Sequence, residues 1–159
     1  MSTITYLKLT GQKQGLISAN CSSTDSIGNK YQKGHENEIL ILELSMDTMR
    51  SQNVVFQPVN VKKPIDKSSP LLLQSLISNE ILTCEFLHYR TSMQGGLELY
   101  YKTKLTDASI IHLTTLHPNS LTHNDYQPQE SVSFRYKSII VEHVMAGTSA
   151  YGIWDESIY

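Results

Sequence analysis

The chain has 159 residues, with 13 Lys and Arg against 15 Asp and Glu and a formal net charge of −2. That length corresponds to one domain, 1–159, which buries roughly 70% of its unfolded surface and folds without disulfide or metal. The charges are scattered with no basic block, so nucleic acid is not an expected partner. No apolar run reaches the ~18 residues of a membrane span, and the opening MSTITYLKLTGQKQG lacks the apolar core of a secretory leader. The expectation is a chain made and folded in the cytoplasm, with no membrane insertion.

Ile4–Thr10 alternates as a strand, and Gly11 and Gly15 bracket a turn. Leu16–Cys21 reads as a second strand with Ile17, Ala19 and Cys21 on one face. The polar stretch from Ser22 to Asn37 reads as a long loop or exposed hairpin. Glu38–Ser45 (EILILELS) is a strand apolar on both faces, covered by its own core on one side and by something else on the other. Met46–Asn53 reads as a loop, and Val54–Val61 as a strand with Pro58 at an edge or bulge.

The segment DKSSPLLLQSLISN carries a helix over about 69–79. Ser69 is placed at the N-cap, Pro70 at the first helical position, and Asn79 at the stop. Leu72, Leu73, Leu76 and Ile77 form its apolar stripe, with Leu72 and Leu76 expected against the body of the protein. Beyond it, Leu82, Cys84 and Phe86 share a strand face, and Gln94-Gly95-Gly96 turns that strand into LELYYKTKL. Ser109–Leu116 is a further strand and Pro118–Gln129 a loop. Ser131–Met145 is a strand about three times the usual length, of the kind that bends to close a barrel. Gly147 ends it and YGIWDE follows. Eight to ten strands and one helix make the fold mainly β: an antiparallel β-barrel of two packed sheets with one short lateral α-helix.

No catalytic, cofactor or metal site is expected. Of the six histidines, only His112, His117 and His123 lie close in sequence, and their spacing matches no metal motif. AGTSAYG around Ser149 is similar to a hydrolase elbow, but Tyr151 occupies the required glycine position and no helix follows, so a turn is expected. Asp155 and Glu156 are adjacent and read as solvated charge. Cys21 and Cys84 read as buried reduced thiols, with a disulfide or a reactive thiol as the alternatives.

Four segments, TYLKLTG, GNKYQKGHENEILILELS, DKSSPLLLQSL and ESVSFRYKSIIVEHVMAGTS, together resemble the Hcp (haemolysin-coregulated protein) family. The likeness runs nearly end to end and is strongest to its enterobacterial branch. It implies the tube subunit of the type VI secretion system, a non-enzymatic protein with a β-barrel and one helix packed on its side. It further implies homohexameric rings that stack into a tube, a spike protein at the tip, a contractile sheath outside and small effectors in the lumen. Localisation would be cytoplasmic during assembly, then secreted or delivered into target cells. Between Ser45 and Val61 the chain is shorter than the family's usual excursion.

A sphere about 40 Å across, as expected for this length, gives a six-membered ring with a hole of about 40 Å before interpenetration. Such a ring needs a head-to-tail interface, for which Ile39, Ile41, Glu43, Tyr100 and Tyr101 are candidates, with core packing as their alternative. Met46, Asp47 and Arg50 are candidates for ring stacking. Two other readings stay open at this level: a β-sandwich binding or adaptor module, and a small serine hydrolase using Ser149 with His143 or His123.

Overall fold

The computed structural model describes Thr3–Trp154 apart from Asn124 and Tyr126. It is mainly β, and its order begins β1 (Thr3–Gly11), β2 (Gly15–Leu16), α1 (Thr24–Ile27) and a 3-10 turn (Gly28–Lys30). Then come β3 (Ile39–Ile41), β4 (Glu43–Ser45), β5 (Thr48–Arg50), β6 (Val54–Phe56), β7 (Val59–Pro64) and α2 (Ser69–Ser78). The chain continues through β8 (Leu82–Thr91), β9 (Leu97–Leu116), β10 (Gln129–Arg135), β11 (Ser138–His143) and β12 (Thr148–Ile153).

The main sheet runs β2-β1-β8-β9-β10-β7-β4, all antiparallel, with β11 and β12 extending from β9. Its two ends are bridged by a single segment. β3 pairs with β1 through Leu7↔Ile39, while β4 pairs with β7 through Leu44↔Val61. The backbone breaks between them at Leu42, whose N–H donates to Lys62 O at 2.7 Å. The barrel is therefore a curled sheet with a seam at Leu42 rather than one uninterrupted ladder. The expected single strand Glu38–Ser45 is two short strands, because one extended segment cannot follow β1 and β7 at once.

The long element is β9, not Ser131–Met145. LELYYKTKL and Ser109–Leu116 join into one strand of 20 residues. The bend sits at Asp107, which is left-handed at φ 50°, a conformation Asp tolerates. There the register with β8 slips between Leu82↔Ala108 and Cys84↔Leu105. β10 and β11 follow β9 on its other side, from Gln129↔Leu116 to His143↔Tyr101, and the expected 15-residue strand is interrupted at Tyr136–Lys137. Tyr136 turns inward there and is 2% exposed.

Three further differences are local. Leu16–Cys21 is mostly turn, held by Ile17 N–H and Ser18 N–H donating to Leu9 O. Ser22–Asn37 contains α1 and the 3-10 turn instead of a hairpin. Met46–Asn53 is not simply loop: β5 and β6 form a two-stranded hairpin, Thr48↔Phe56 to Arg50↔Val54, separate from the main sheet. Val54–Val61 is correspondingly split at Gln57–Pro58, where proline cannot donate to a ladder.

The core is filled by alternate residues of β1, β7, β8, β9 and β10, among them Leu7, Leu9, Val59, Val61, Cys84, Phe86, Leu105, Val132 and Phe134. α2 lies against β9 and ends at left-handed Asn79, as the sequence indicates. Its N-cap is Ser68 rather than Ser69. Its stripe is also rotated: Leu72 and Ser75 are buried and Leu76 is half-buried, while Leu73 and Ile77 are 48% and 70% exposed. Leu72→Ala is accordingly expected to cost about 2–5 kcal/mol in urea melts, and Ile77→Ala less than about 0.5 kcal/mol. Equal losses would place the buried face wrongly.

Candidate assembly interface

Two buried polar clusters fix the helix that flanks the barrel. At its N-terminus, Lys63 is 1% exposed inside the protein. Its Nζ donates to Asp66 Oδ1 at 3.0 Å, to Pro64 O at 3.0 Å, and to Glu130 Oε1. Ser69 Oγ donates to Glu130 Oε1 at 2.7 Å and accepts the Asp66 N–H at 3.1 Å. Both serine hydroxyls at the helix start are bound into this cluster, Ser68 Oγ donating to Asp66 Oδ1, and neither caps a helix N–H. Ser68 N–H in turn donates to Asp66 Oδ1 at 2.9 Å.

At the C-terminus of α2, Glu80 is 2% exposed. Its Oε2 accepts the N–H groups of Lys13 and Gln14, both at 2.9 Å, and its Oε1 accepts Gln14 Nε2 at 2.8 Å. Burial alone would raise its pKa, but these donors outweigh it and hold the carboxyl below its ordinary value. The carboxylate lies over Gly11, where an added Cβ would stand 2.1 Å from Oε2. The β1–β2 turn is thereby pinned to the helix.

A third cluster covers the outer face of the seam. Leu40, Tyr6 and Leu87 line up across β3, β1 and β8 and are all buried. His35 stacks on Tyr6 at 4.3 Å with 3° between the planes, and meets Tyr89 at 5.1 Å edge to face. His35 Nδ1 is 2.7 Å from Glu38 Oε2. Burial, with the Glu38 carboxylate and Tyr89 nearby, pushes the Tyr6 hydroxyl up to about 12. The second cover expected for Glu38–Ser45 is thus supplied by the chain's own 28–38 segment.

That placement bears on the contact residues read from the sequence. Ile39 and Ile41 are core residues, 0% and 5% exposed, and offer a neighbour no side-chain surface. Glu43 is exposed and pairs loosely with Lys62 at 3.4 Å. Leu42, missed in the sequence, is 51% exposed at the seam. Its signal is legible only afterwards: a break in β pairing turns an apolar residue outward. Beside it lies an open cleft of about 380 Å³ lined by Thr3, Thr5, Leu42, Glu43 and His88.

Tyr100 and Tyr101 are half-buried and lie 6.1 Å apart, their rings against His143 at 6.0 and 6.1 Å. Arg90 sits 4.9 Å over the Tyr100 ring and is held by Glu98 at 2.8 Å. Met46, Asp47 and Arg50 are all exposed at the start of the hairpin, which shares no ladder with the strand carrying the tyrosine patch. Neither Asp47 nor Arg50 enters an ion pair among the described residues.

The Ser149–His143 pair of the hydrolase reading is not assembled. Ser149 lies within β12 opposite Glu142, whereas His143 lies opposite Thr148. Side chains alternate along a strand, so Ser149 and His143 point to opposite faces. His143 Nδ1 accepts the Ala146 N–H at 3.0 Å and serves the turn that ends at Gly147. No group of three or more His, Cys, Asp or Glu able to hold a metal occurs among the described residues. Asp155 and Glu156 lie outside the described residues. Cys21 and Cys84 are buried free thiols, and Cys21 lies in a turn rather than a strand. Burial, aided by the charge of Asp66, pushes Cys21 up to about 12, and burial pushes Cys84 higher. Both are held as unreactive thiols.

A curled antiparallel sheet, braced on one flank by a helix through two buried polar clusters, places the chain among helix-flanked β-barrel proteins. The family model for the type VI secretion system effector Hcp matches residues 6–143, and the chain belongs to the Hcp family. It is 38% identical to the "Major exported protein" of Pseudomonas aeruginosa over 97% of this chain and 96% of that protein. Among solved structures, an Hcp protein crystal structure matches at TM-score 0.91 and 35% identity, covering 98% of this chain and 99% of that one. The secreted protein Hcp3 from P. aeruginosa matches at TM-score 0.88 and 38% identity, over 98% and 100% of the two chains. The family is one of structural type VI secretion proteins, and the chain is not an enzyme. No helix among the described residues is long and apolar enough to cross a membrane.

Proposed function

We propose that the chain, as one domain, is the inner-tube subunit of a type VI secretion system. The observation that carries this reading is the end-to-end likeness to an exported relative and to Hcp structures. Six copies form a ring, and rings stack into a tube that is assembled in the cytoplasm, driven out by a sheath behind a spike, and able to carry small effectors in its lumen. The exposed Leu42 and Glu43 at the seam and the Tyr100–Tyr101 patch serve the lateral contact. Met46, Asp47 and Arg50, on the hairpin that stands outside the main sheet, serve ring stacking.

Each chain is 18.0 kDa, so a ring is about 108 kDa. Light scattering on a size-exclusion eluate is expected to give that mass, with annular particles in electron micrographs. A single 18.0 kDa species at high concentration would overturn the ring and favour a monomeric binding module.

A further inference from the structure

The hairpin of β5 and β6 shares no backbone ladder with the main sheet. Thr48–Arg50 is exposed throughout, and Phe56 is the hairpin residue packed against the core. The Phe56 ring enters a socket made by the far end of the chain. It lies 6.1 Å from Tyr136 and 6.3 Å from Trp154, and these two meet edge to face at 4.9 Å. The Arg135 guanidinium covers Trp154 at 5.4 Å. Gly152 is the floor: a Cβ added there would stand 2.6 Å from Phe56 Cζ. The base of the hairpin is tied to the same place. Tyr136 Oη donates to Gln57 O at 3.1 Å, and Gln57 N–H donates to Asp47 O at 3.1 Å. Trp154 N–H donates to Lys137 O at 2.7 Å, which holds the socket together.

We propose that this socket fixes the direction in which the hairpin leaves the barrel, and that Phe56 is a positioning residue for the contact the hairpin makes with the next ring. The last step rests on the stacking role proposed above; the socket itself does not. A two-stranded hairpin has little stability of its own. Unlatched, it would pivot about Gln57–Pro58 and lose that freedom at every contact it formed. Latched, it is already ordered, and association costs correspondingly less.

Two reporters lie in place. Trp154 is the one tryptophan of the sequence, and Arg50 is the one Lys or Arg between Asp47 and Phe56. The test compares the full chain with Phe56→Ala and Gly152→Ala. Gly152→Ala removes no core atom and expels the ring by adding one. Tryptic cleavage after Arg50 is expected to accelerate about tenfold or more in Phe56→Ala and Gly152→Ala, as local opening becomes populated. Trp154 emission is expected to shift to the red in the same two variants. Cleavage at Lys104 in β9 is expected to stay slow in both.

Unchanged Arg50 cleavage in both Phe56→Ala and Gly152→Ala would overturn the latch. Lys104 cleavage rising in step with Arg50 would overturn it too, since Phe56 would then be only core packing. Filament formation in electron micrographs reads the second step: it is expected to fall about tenfold in the two unlatched variants, and parental filaments with a freed hairpin would overturn the positioning role. Parental export after deletion of the hairpin would instead remove the stacking reading and leave the socket standing.

Discussion

Lys63→Met is expected to destabilise the protein by about 3–5 kcal/mol, because it leaves two buried carboxylates facing one another without their cation. Asp66 and Glu130 are 6% and 2% exposed, and Asp66 Oδ2 already lacks a hydrogen-bond partner among the described residues. For a chain of this length that loss corresponds to a fall of about 6–20 °C in Tm. The neighbouring Lys62 is the internal control: its ion pair with Glu43 is solvent-exposed, and Lys62→Met is expected to cost no more than about 1 kcal/mol. A double-mutant cycle adds a second measurement. Lys63→Met with Glu130→Leu is expected to lose less than the sum of the single changes, since the second substitution removes one of the orphaned charges. Lys63→Met melting together with Lys62→Met would show that the cluster contributes nothing to the fold.

That cluster also marks where the sequence is informative and where it stops. In β7 the pattern Val59-Asn60-Val61-Lys62-Lys63 puts Lys63 on the inward parity of Val59 and Val61. In β10, Glu130 shares its parity with buried Val132 and Phe134. A lysine and a glutamate at inward positions are a readable signal of a buried pair. What cannot be read is that the two strands pair with Glu130 opposite Lys63, because register between distant strands is set by the whole barrel. The helix Ser69–Ser78 is legible because Pro70 and the Asn79 stop are local signals, but its N-cap and its rotation are not. Its inward face is decided by Gln14 and Glu80, which belong to other elements.

Strand ends fail for a similar reason. Thr106-Asp107-Ala108 looks like a break, and the structure makes it a bend inside β9, since Asp107 can take a left-handed conformation without ending the ladder. The hairpin of β5 and β6 gives no core pattern because, apart from Phe56, it has no core to face. The candidate contacts divide along the same line. Glu43, Tyr100, Tyr101, Met46, Asp47 and Arg50 retain surface for a partner, whereas Ile39 and Ile41 are claimed by the barrel itself.

Replacing Thr48–Val55 by a short Gly/Ser linker, with Phe56 kept in its socket, is expected to leave the barrel and the ring intact and to abolish export. The segment makes no ladder with the main sheet, so its removal takes no hydrogen bond from the fold. Its exposed groups are free for the ring-to-ring contact proposed above: Met49 and Val55 are 59% and 46% exposed, beside the charges of Asp47 and Arg50. An exposed ion pair is worth only about 0.2–1 kcal/mol, but the ring proposed above would make each contact six times in one rigid body. On that reading the sum would hold a nucleated tube, while each subunit's share would be small enough to let it come apart. Three measurements decide the matter: the thermal melt, the mass in solution, and the amount of protein appearing outside the cell. A parental melt with a mass of 18.0 kDa would move the hairpin from stacking to the lateral interface. A parental melt, a full ring and undiminished export would remove it from the mechanism. A parental melt and a full ring with export lost is the expected result, and it would assign the ring-to-ring contact to a hairpin that the barrel carries outside its own sheet.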